Sequence, residues 1–438
     1  MIKPIICAIA CAVSLLSSTM LPAQTATTSP LVKVDSRPLG TGNVQSGLDV
    51  LKADNFKKLH GKKVGLLTNI GAIDREGNHI LDLILAEKDI DVVTLFSPEH
   101  GFYGDLDTHV SDVKDTATGL MIYSLYGAQK DPDTPRFHPR QEHLKGLDVV
   151  VVDLPDIGAR YYTYISYMGK MMESCAKAGV AVMVLDRPNP IGGIYVDGPQ
   201  QDPDMVGAIT SYFPMPIAHG MTIGELAQMF NGEMKINSKL EVEKVKNWKR
   251  SQYLDETGLR WVNPSPNIQT LDGAIGYPGV AITEAIMSMG RGTTEPFHIF
   301  GSPLIEDPAD MIKEVTSHTL EGVKLEVADF VPTGTLARYH HGEGKLCRGA
   351  RIIITDRTKY RPFKLGLAVI DYMQRTYGKK MVNGNPAYPI TRIRGALSSW
   401  VVLRTMDGRP LADTLAEVDK QVKTFMPVRD KYLIYRDL

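Results

Sequence analysis

The chain has 438 residues, which is too long for one ordinary hydrophobic core, so two domains are expected. Its hydrophobic content of 43% and charged content of 23% are those of a globular protein. The formal net charge of −1 gives no electrostatic reason to expect nucleic acid or an anionic membrane surface as a partner.

The first residues predict export. Met1-Ile2-Lys3 is a short basic segment, residues 4–21 are apolar and rich in small residues, and a cleavage region follows near residues 22–25. These are the parts of a secretory signal peptide, so we expect residues 1–24 to be removed and the mature protein to be periplasmic or secreted. The alternative is a retained membrane anchor, for which the segment is short and is interrupted by polar residues at 17–19.

Residues 25–44 are rich in Ser, Thr, Pro and Gly and are expected to form a flexible lead-in. Apolar runs and helix-period stretches then alternate, which predicts βαβ units and a parallel sheet. The predicted strands are 63–68, 91–96, 120–123, 149–153 and 180–185, with helices over 78–87 and 161–178. Residues 45–290 are therefore predicted to form a Rossmann-like α/β domain. The first strand is not followed by GxGxxG, so neither a dinucleotide nor another cofactor is expected.

The second half of the chain repeats the pattern on a smaller scale. Near the end of the first predicted domain, Thr222 and Glu225 form a capping-box sequence that opens a helix. Apolar runs at 323–327 and 351–355, and helices over 362–377 and 411–425, predict a smaller α/β domain over residues 291–438. The linking segment 261–303 is dense in Pro, Gly and Asn and is expected to border the cleft between the domains.

A carboxylate follows the second predicted strand in the sequence Ser97-Pro98-Glu99-His100-Gly101. In open parallel sheets the ligand binds beyond the carboxyl ends of the strands, so Glu99 is expected at the edge of the crevice. Partial burial there would favour the protonated carboxyl that a general acid needs. The alternative is a glutamate that only caps a loop. His100 is expected to orient Glu99 or, equally, to be a loop histidine bonded to the backbone.

Two further clusters carry candidate residues. Asp153, Asp156 and Arg160 follow the fourth predicted strand, and the alternative to a catalytic role is that Arg160 neutralises both aspartates. Segment 261–294 holds Asn267, Glu284 and Arg291 beside an indole and a tyrosine. Polar side chains with aromatic rings suit a sugar, which presents hydroxyls at its edge and a C–H face for stacking. A Pro/Gly-rich scaffold loop is the alternative.

A metal site and a nucleophilic serine or cysteine are weaker hypotheses. His100, Asp105, Asp107, His109 and Asp112 are close in sequence, but they show neither HExxH spacing nor an EF-hand pattern. The chain contains no GxSxG elbow. No metal is therefore expected.

Eight motifs in order resemble the exo-β-N-acetylmuramidases of the NamZ type, which are peptidoglycan-recycling glycoside hydrolases. The resemblance runs from about residue 45 to YLIY at 432–435. The motifs are GLLTN (65–69), SPEHGFYGD (97–105), YSLYG (123–127), DLPDIGARYYTY (153–164), LDRPNPIGG (185–193), HGMTIGELA (219–227), PSPN (264–267) and GRGTTEPF (290–297).

The resemblance implies a Rossmann-like domain, a smaller C-terminal domain and an active-site cleft between them. It implies an exported bacterial enzyme that releases terminal N-acetylmuramic acid from the non-reducing end of peptidoglycan-derived MurNAc-GlcNAc fragments. It makes Glu99 the leading catalytic carboxylate and Glu284 the second, with Asp156 next. The residues expected to bind substrate are Asn69, Arg160, Tyr164, His219, Asn267 and Arg291.

One segment departs from the family pattern. Ala285, Ile286 and Met287 follow Glu284, where Gly commonly follows directly and Asn stands at the third position. This departure favours one alternative function, a non-catalytic protein that binds muropeptides or glycans. Another alternative is a metal-dependent hydrolase of a different cell-wall bond. The motifs leave open whether two carboxylates act together or the acetamide of the substrate is the nucleophile.

Overall fold

The computed structural model describes residues 36, 38–104, 110–127, 134–318, 320–338, 340–381 and 397–437. The predicted signal peptide lies outside these residues. The end of the predicted lead-in is anchored, because the backbone N–H groups of Leu39 and Val44 donate to the carbonyls of Leu259 and Thr257. Within the described ranges, no helix has both the length and the apolar character needed to cross a bilayer.

A seven-stranded sheet forms the centre of the N-terminal part, counted over the described residues, in the order β3-β4-β2-β1-β5-β6-β7. Its strands are β1 Lys63–Thr68, β2 Asp91–Ser97, β3 Val113–Lys114, β4 Met121–Ser124, β5 Val149–Asp153, β6 Ala181–Leu185 and β7 Leu240–Glu243. All neighbours pair in parallel except β3 and β4, which are antiparallel. The predicted Rossmann-like parallel sheet is confirmed, and its strand order reverses between β1 and β5.

The described helices are α1 Gly47–Ala53, α2 Ile80–Leu85, α3 Gln141–Leu144, α4 Tyr164–Ala178, α5 Ile223–Glu233, α6 Leu271–Val280, α7 Pro308–Ser317, α8 Pro362–Met381, α9 Ser399–Met406 and α10 Leu411–Tyr432. The capping box that opens α5 is confirmed. Thr222 Oγ1 accepts from the N–H of Glu225 at 3.2 Å, and Glu225 Oε2 accepts from the N–H of Thr222 at 3.0 Å. Two backbone donors of the first turn are thereby satisfied reciprocally.

Helix α4 crosses one face of the sheet and carries an apolar face at helical spacing. Ile165, Met168, Met172 and Cys175 are all buried in one hydrophobic cluster, whereas Ala178, the next residue at the same spacing, is exposed. The helix begins at Tyr164, three residues later than the sequence suggested. It ends at Ala178 and is capped by Gly179, whose φ of 74° is the left-handed conformation that glycine adopts without a Cβ clash.

A smaller antiparallel sheet belongs to the C-terminal part, with the order β8-β10-β9. Its strands are β8 Ile299–Ser302, β9 Val323–Phe330 and β10 Cys347–Ile354. Helix α6 packs closely on α8, because a Cβ at Gly279 would lie 1.8 Å from the carbonyl oxygen of Pro362. A Cβ at Gly366 would lie 2.2 Å from the carbonyl oxygen of Gly279. Helix α6 thus connects the two parts of the chain, and a domain boundary at residue 290 stays a prediction.

Candidate active site

A cavity of about 410 Å³ opens where the loop after β2 meets the start of α4. Segment 265–297 and a loop of the C-terminal part complete its walls. The lining residues are Glu99, His100, Tyr126, Tyr161, Tyr162, Thr163, Thr210, Ser265, Ile268, Tyr277, Ala281, Glu284, Arg291, Phe297 and His340. Of the four residues predicted to be catalytic, the structure therefore brings Glu99, His100 and Glu284 to one cavity.

Glu99 is half-buried and its side chain is held by one described hydrogen bond. Oε2 accepts from the hydroxyl of Thr163 at 2.7 Å. The backbone turns sharply just after Glu99, with φ of 69° at His100 and 77° at Gly101. A non-glycine residue in this conformation is strained, and such strain persists where the surrounding structure enforces it, often at functional sites. The turn places Glu99 and His100 together on the cavity wall.

Glu284 lies at the same cavity in a different electrostatic environment. Its side chain is 47% exposed, and Oε1 lies 3.2 Å from His340 Nδ1 and 3.6 Å from Arg291 Nε. The guanidinium of Arg291 lies over the ring of Phe297, 5.4 Å from its centroid. A guanidinium beside a carboxylate favours its charged form. Glu99 is therefore bonded to a neutral hydroxyl, whereas Glu284 lies beside a cation.

Tyrosine side chains form part of the cavity wall. The hydroxyl of Tyr161 donates to the carbonyl of Tyr277 at 2.9 Å, and that of Tyr162 donates to the carbonyl of Pro264 at 2.9 Å. Burial raises the pKa of Tyr161 and of Tyr162 well above the ordinary value, so both stay neutral. The ring of Tyr277 packs edge-on against Phe297, with centroids 4.9 Å apart. Such a wall suits the C–H face of a sugar ring.

Several residues predicted to bind substrate lie outside the lining of this cavity. Asn69 and Tyr164 are fully buried: Asn69 Nδ2 donates to the hydroxyl of Tyr164 at 2.9 Å, and that hydroxyl donates to the carbonyl of Pro264 at 2.6 Å. Asn267 and His219 are also buried. Asn69 and Tyr164 hold Pro264, the residue before Ser265, which does line the cavity. None of these four side chains is in the lining of the main cavity, and a role for them in substrate binding stays a prediction.

Asp156 was expected to face Glu99 across the cleft, but it lines a separate cavity of about 50 Å³ with Arg187 and Trp261. Its Oδ2 accepts from the N–H of Gly158 at 2.9 Å and lies 3.2 Å from His219 Nε2. His219 Nδ1 accepts from the N–H of Met221 at 3.2 Å. The hydrogen bond from Gly158 to Asp156 lies within the loop after β5, and neither Asp156 nor His219 lines the main cavity.

Arg160 also differs from the prediction. It is fully buried, burial lowers its pKa to about 10, and its Nη1 donates to Gln201 Oε1 at 2.9 Å. The hypothesis that Arg160 neutralises Asp153 is wrong, because Arg187 is the arginine that pairs with Asp153. Arg187 donates from Nε to Oδ1 at 2.5 Å and from Nη2 to Oδ2 at 2.8 Å. Of the two arginines predicted to bind substrate, Arg291 is the one at the main cavity.

Sequence reasoning missed Thr163 and His340. Thr163 directly precedes the observed start of α4, so a correct placement of the helix start would have drawn attention to its hydroxyl. His340 lies between β9 and β10 in a loop without a motif, and only tertiary contact brings it to Glu284. Ser265 lies inside the PSPN motif and could have been predicted from it.

The structure describes two of the five residues of the weaker metal hypothesis, His100 and Asp112. His100 lines the main cavity, and Asp112 Oδ1 accepts from the N–H of Ser124 at 2.9 Å. Asp105, Asp107 and His109 lie outside the described residues. In the part of the chain that the structure describes, no three His, Cys, Asp or Glu side chains are grouped to hold a metal ion.

The buried ion pair of Asp153 and Arg187 yields a stability prediction. The side chain of Asp153 is fully buried and that of Arg187 is 13% exposed, so Arg187→Met leaves an uncompensated buried carboxylate. We expect a loss of about 3–5 kcal/mol in the free energy of unfolding, measured in urea at neutral pH. Adding Asp153→Asn removes the charge and should recover part of the loss. A loss below about 1 kcal/mol for Arg187→Met would contradict the importance of this pair.

Known proteins similar to this chain were identified by sequence and by structure. The family models for the N-terminal and C-terminal domains of exo-beta-N-acetylmuramidase NamZ match residues 64–272 and 275–435. The peptidoglycan beta-N-acetylmuramidase NamZ of Bacillus subtilis (strain 168) is 37% identical over 398 residues, covering 90% of this chain and 91% of that protein.

Two crystal structures of DUF1343 family proteins from Bacteroides fragilis NCTC 9343 share the fold. The first has a TM-score of 0.80 and 31% identity, covering 90% of this chain and 100% of that one. The second has a TM-score of 0.69 and 27% identity, covering 91% of this chain and 100% of that one. The likeness therefore extends over both parts of the described structure.

Proposed function

The chain belongs to the NamZ family of exo-β-N-acetylmuramidases, and we propose that it cleaves terminal N-acetylmuramic acid from peptidoglycan fragments at the cavity that holds Glu99 and Glu284. It is a glycoside hydrolase. Most enzymes of this class use two carboxyl groups that flank the scissile bond. The presence of two glutamates, in contrasting surroundings, on the wall of one cavity is the observation that carries the assignment.

We assign the role of general acid to Glu99. Its Oε2 accepts from Thr163, which leaves Oε1 to carry the proton toward the glycosidic oxygen. Glu284, beside Arg291 and His340, supplies the negative charge that an oxocarbenium-like transition state requires. It acts on the sugar directly or by orienting the substrate's acetamide. The aromatic wall of Tyr161, Tyr277 and Phe297 binds the sugar ring by its C–H face.

The role of Glu99 is tested by Glu99→Gln, which keeps the shape of the side chain and removes the proton. We expect turnover of a MurNAc-GlcNAc disaccharide to fall by about 10²–10⁴-fold, the usual contribution of general acid catalysis. The matched control is Glu142→Gln on α3, a solvent-exposed glutamate outside the cavity, which should retain wild-type turnover. Near-normal turnover by Glu99→Gln would remove the assignment.

The same assay separates the alternative functions. A wild-type protein that binds the disaccharide without releasing N-acetylmuramic acid would be a binding protein. Turnover that is lost on dialysis against a chelator, and restored by a divalent metal, would indicate a metal-dependent hydrolase. Chelator-resistant release of N-acetylmuramic acid is the expected result.

Arg291 is proposed to recognise the lactyl ether, which distinguishes N-acetylmuramic acid from N-acetylglucosamine. That ether carries a carboxylate, and a guanidinium binds carboxylates through charge-assisted hydrogen bonds. Arg291 lines the cavity and is shielded on one side by Phe297. Its Nε lies 3.6 Å from Glu284, so one arginine would link the second carboxylate to substrate recognition.

Arg291→Ala should reduce discrimination between the two sugars. Wild type is expected to prefer a nitrophenyl N-acetylmuraminide over the matching N-acetylglucosaminide by about 10²-fold or more in kcat/KM, because loss of the carboxylate leaves buried polar groups unpaired. The variant should lose most of that ratio. An equal loss of activity on both sugars would instead assign Arg291 to holding Glu284. Arg160→Ala is the comparison, since Arg160 lies outside the cavity lining and should leave the ratio unchanged.

Export is proposed from the first residues of the chain. A basic start, an apolar segment and a small-residue region near residues 22–25 support a cleaved signal peptide. The full-length gene expressed in a Gram-negative bacterium should yield mature protein in the periplasm or medium, with an N-terminus near residue 25 by mass spectrometry. Uncleaved protein in the membrane fraction would support the anchor alternative.

A further inference from the structure

Thr163 occupies the N-cap position of α4, a helix of 15 residues. An N-cap threonine normally uses its side-chain oxygen to accept a backbone N–H of the first helical turn. Thr163 makes no such capping hydrogen bond. Its hydroxyl donates to Glu99 Oε2 at 2.7 Å, an ordinary length for an O–H···O hydrogen bond. The start of α4 therefore has no side-chain cap from Thr163, and the Thr163 hydroxyl is hydrogen-bonded to Glu99 instead.

The surroundings leave this hydroxyl little freedom. Thr163 is only 9% exposed, and its carbonyl accepts from the N–H groups of Ser166 and Tyr167, which fixes the backbone at the helix start. The hydroxyl of Tyr164, next in sequence, is committed to the carbonyl of Pro264. Thr163 is therefore well placed to restrain rotation of the Glu99 carboxyl group.

We propose that Thr163 is a positioning residue for Glu99, an inference that rests on the function proposed above. With Oε2 engaged by Thr163, the transferable proton resides on Oε1. In the reaction that proton passes to the glycosidic oxygen, and the bond from C1 to that oxygen breaks with its electron pair going to the oxygen. Glu99 is left as a carboxylate, and the hydrogen bond from Thr163 stabilises the charge that forms. Water then adds its oxygen to C1, and the proton that this water loses restores the carboxyl group of Glu99.

The inference predicts an effect that depends on the leaving group. A disaccharide releases a sugar alkoxide, which must be protonated, whereas a dinitrophenyl glycoside releases an anion that needs no proton. Thr163→Val keeps the size of the side chain and removes the hydroxyl. It should lower kcat on the MurNAc-GlcNAc disaccharide by about ten- to a hundredfold, as expected for loss of one hydrogen bond to a charged group. KM should stay near the wild-type value, and kcat on dinitrophenyl N-acetylmuraminide should change by less than about threefold.

Two further variants make the test specific. Thr163→Ser retains the hydroxyl and should restore most of the disaccharide turnover. Glu99→Gln combined with Thr163→Val should be no slower on the disaccharide than Glu99→Gln alone, because both changes act through one group. If Thr163→Val fails to fold, as judged by circular dichroism and thermal unfolding, Thr163→Ala is measured on the same two substrates.

An equal loss on both substrates, or wild-type turnover of the disaccharide by the variant lacking the hydroxyl, would overturn the inference. Additive losses in the double variant would do the same. Failure of the wild-type enzyme to hydrolyse either substrate would instead refute the proposed function. The two failures are therefore distinguishable.

Discussion

The buried ion pair between Asp153 and Arg187 joins the carboxyl ends of β5 and β6, the edge of the sheet on which the site is built. Arg187 Nη2 also donates to the carbonyl of Ile73 at 3.1 Å, so the pair connects the loop after β1 as well. Charges this deeply buried are tolerated only when paired and hydrogen-bonded. The pair therefore fixes the position of the carboxyl end of β5, and the loop that follows leads from this end to the start of α4.

Two kinds of contact join the two parts of the chain: side-chain hydrogen bonds to the segment before α6, and a close backbone approach between α6 and α8. Tyr162 and Tyr164, just before and at the start of α4, both donate to the carbonyl of Pro264 and so hold the segment that leads into α6. Helix α6 then approaches α8 backbone to backbone through Gly279 and Gly366, where no Cβ would fit. This approach brings the C-terminal part close enough for His340 to reach Glu284.

The chemistry of the cavity follows from the contrast between its two carboxylates. Glu99 comes from the loop after β2 and is bonded to a hydroxyl, whereas Glu284 comes from the segment after α6 and lies beside a guanidinium and an imidazole. In the function proposed above, these different surroundings are the basis for giving the two glutamates different roles. The aromatic residues of the same cavity contribute apolar surface, and burial raises the pKa of Tyr161 and Tyr162 well above the ordinary value, so these two stay neutral.

The sequence by itself determined the features that depend on local pattern. The continuous apolar run of β5 predicted a strand buried on both faces, the capping box predicted the start of α5, and the end of β2 placed Glu99 at the crevice. The ordered motifs predicted the family. Only the tertiary structure decided partners: Arg187 rather than Arg160 for Asp153, and Glu99 rather than the helix backbone for the hydroxyl of Thr163. The physical reason is that periodicity specifies which face of an element is buried, whereas a polar side chain's partner depends on where distant segments come to pack.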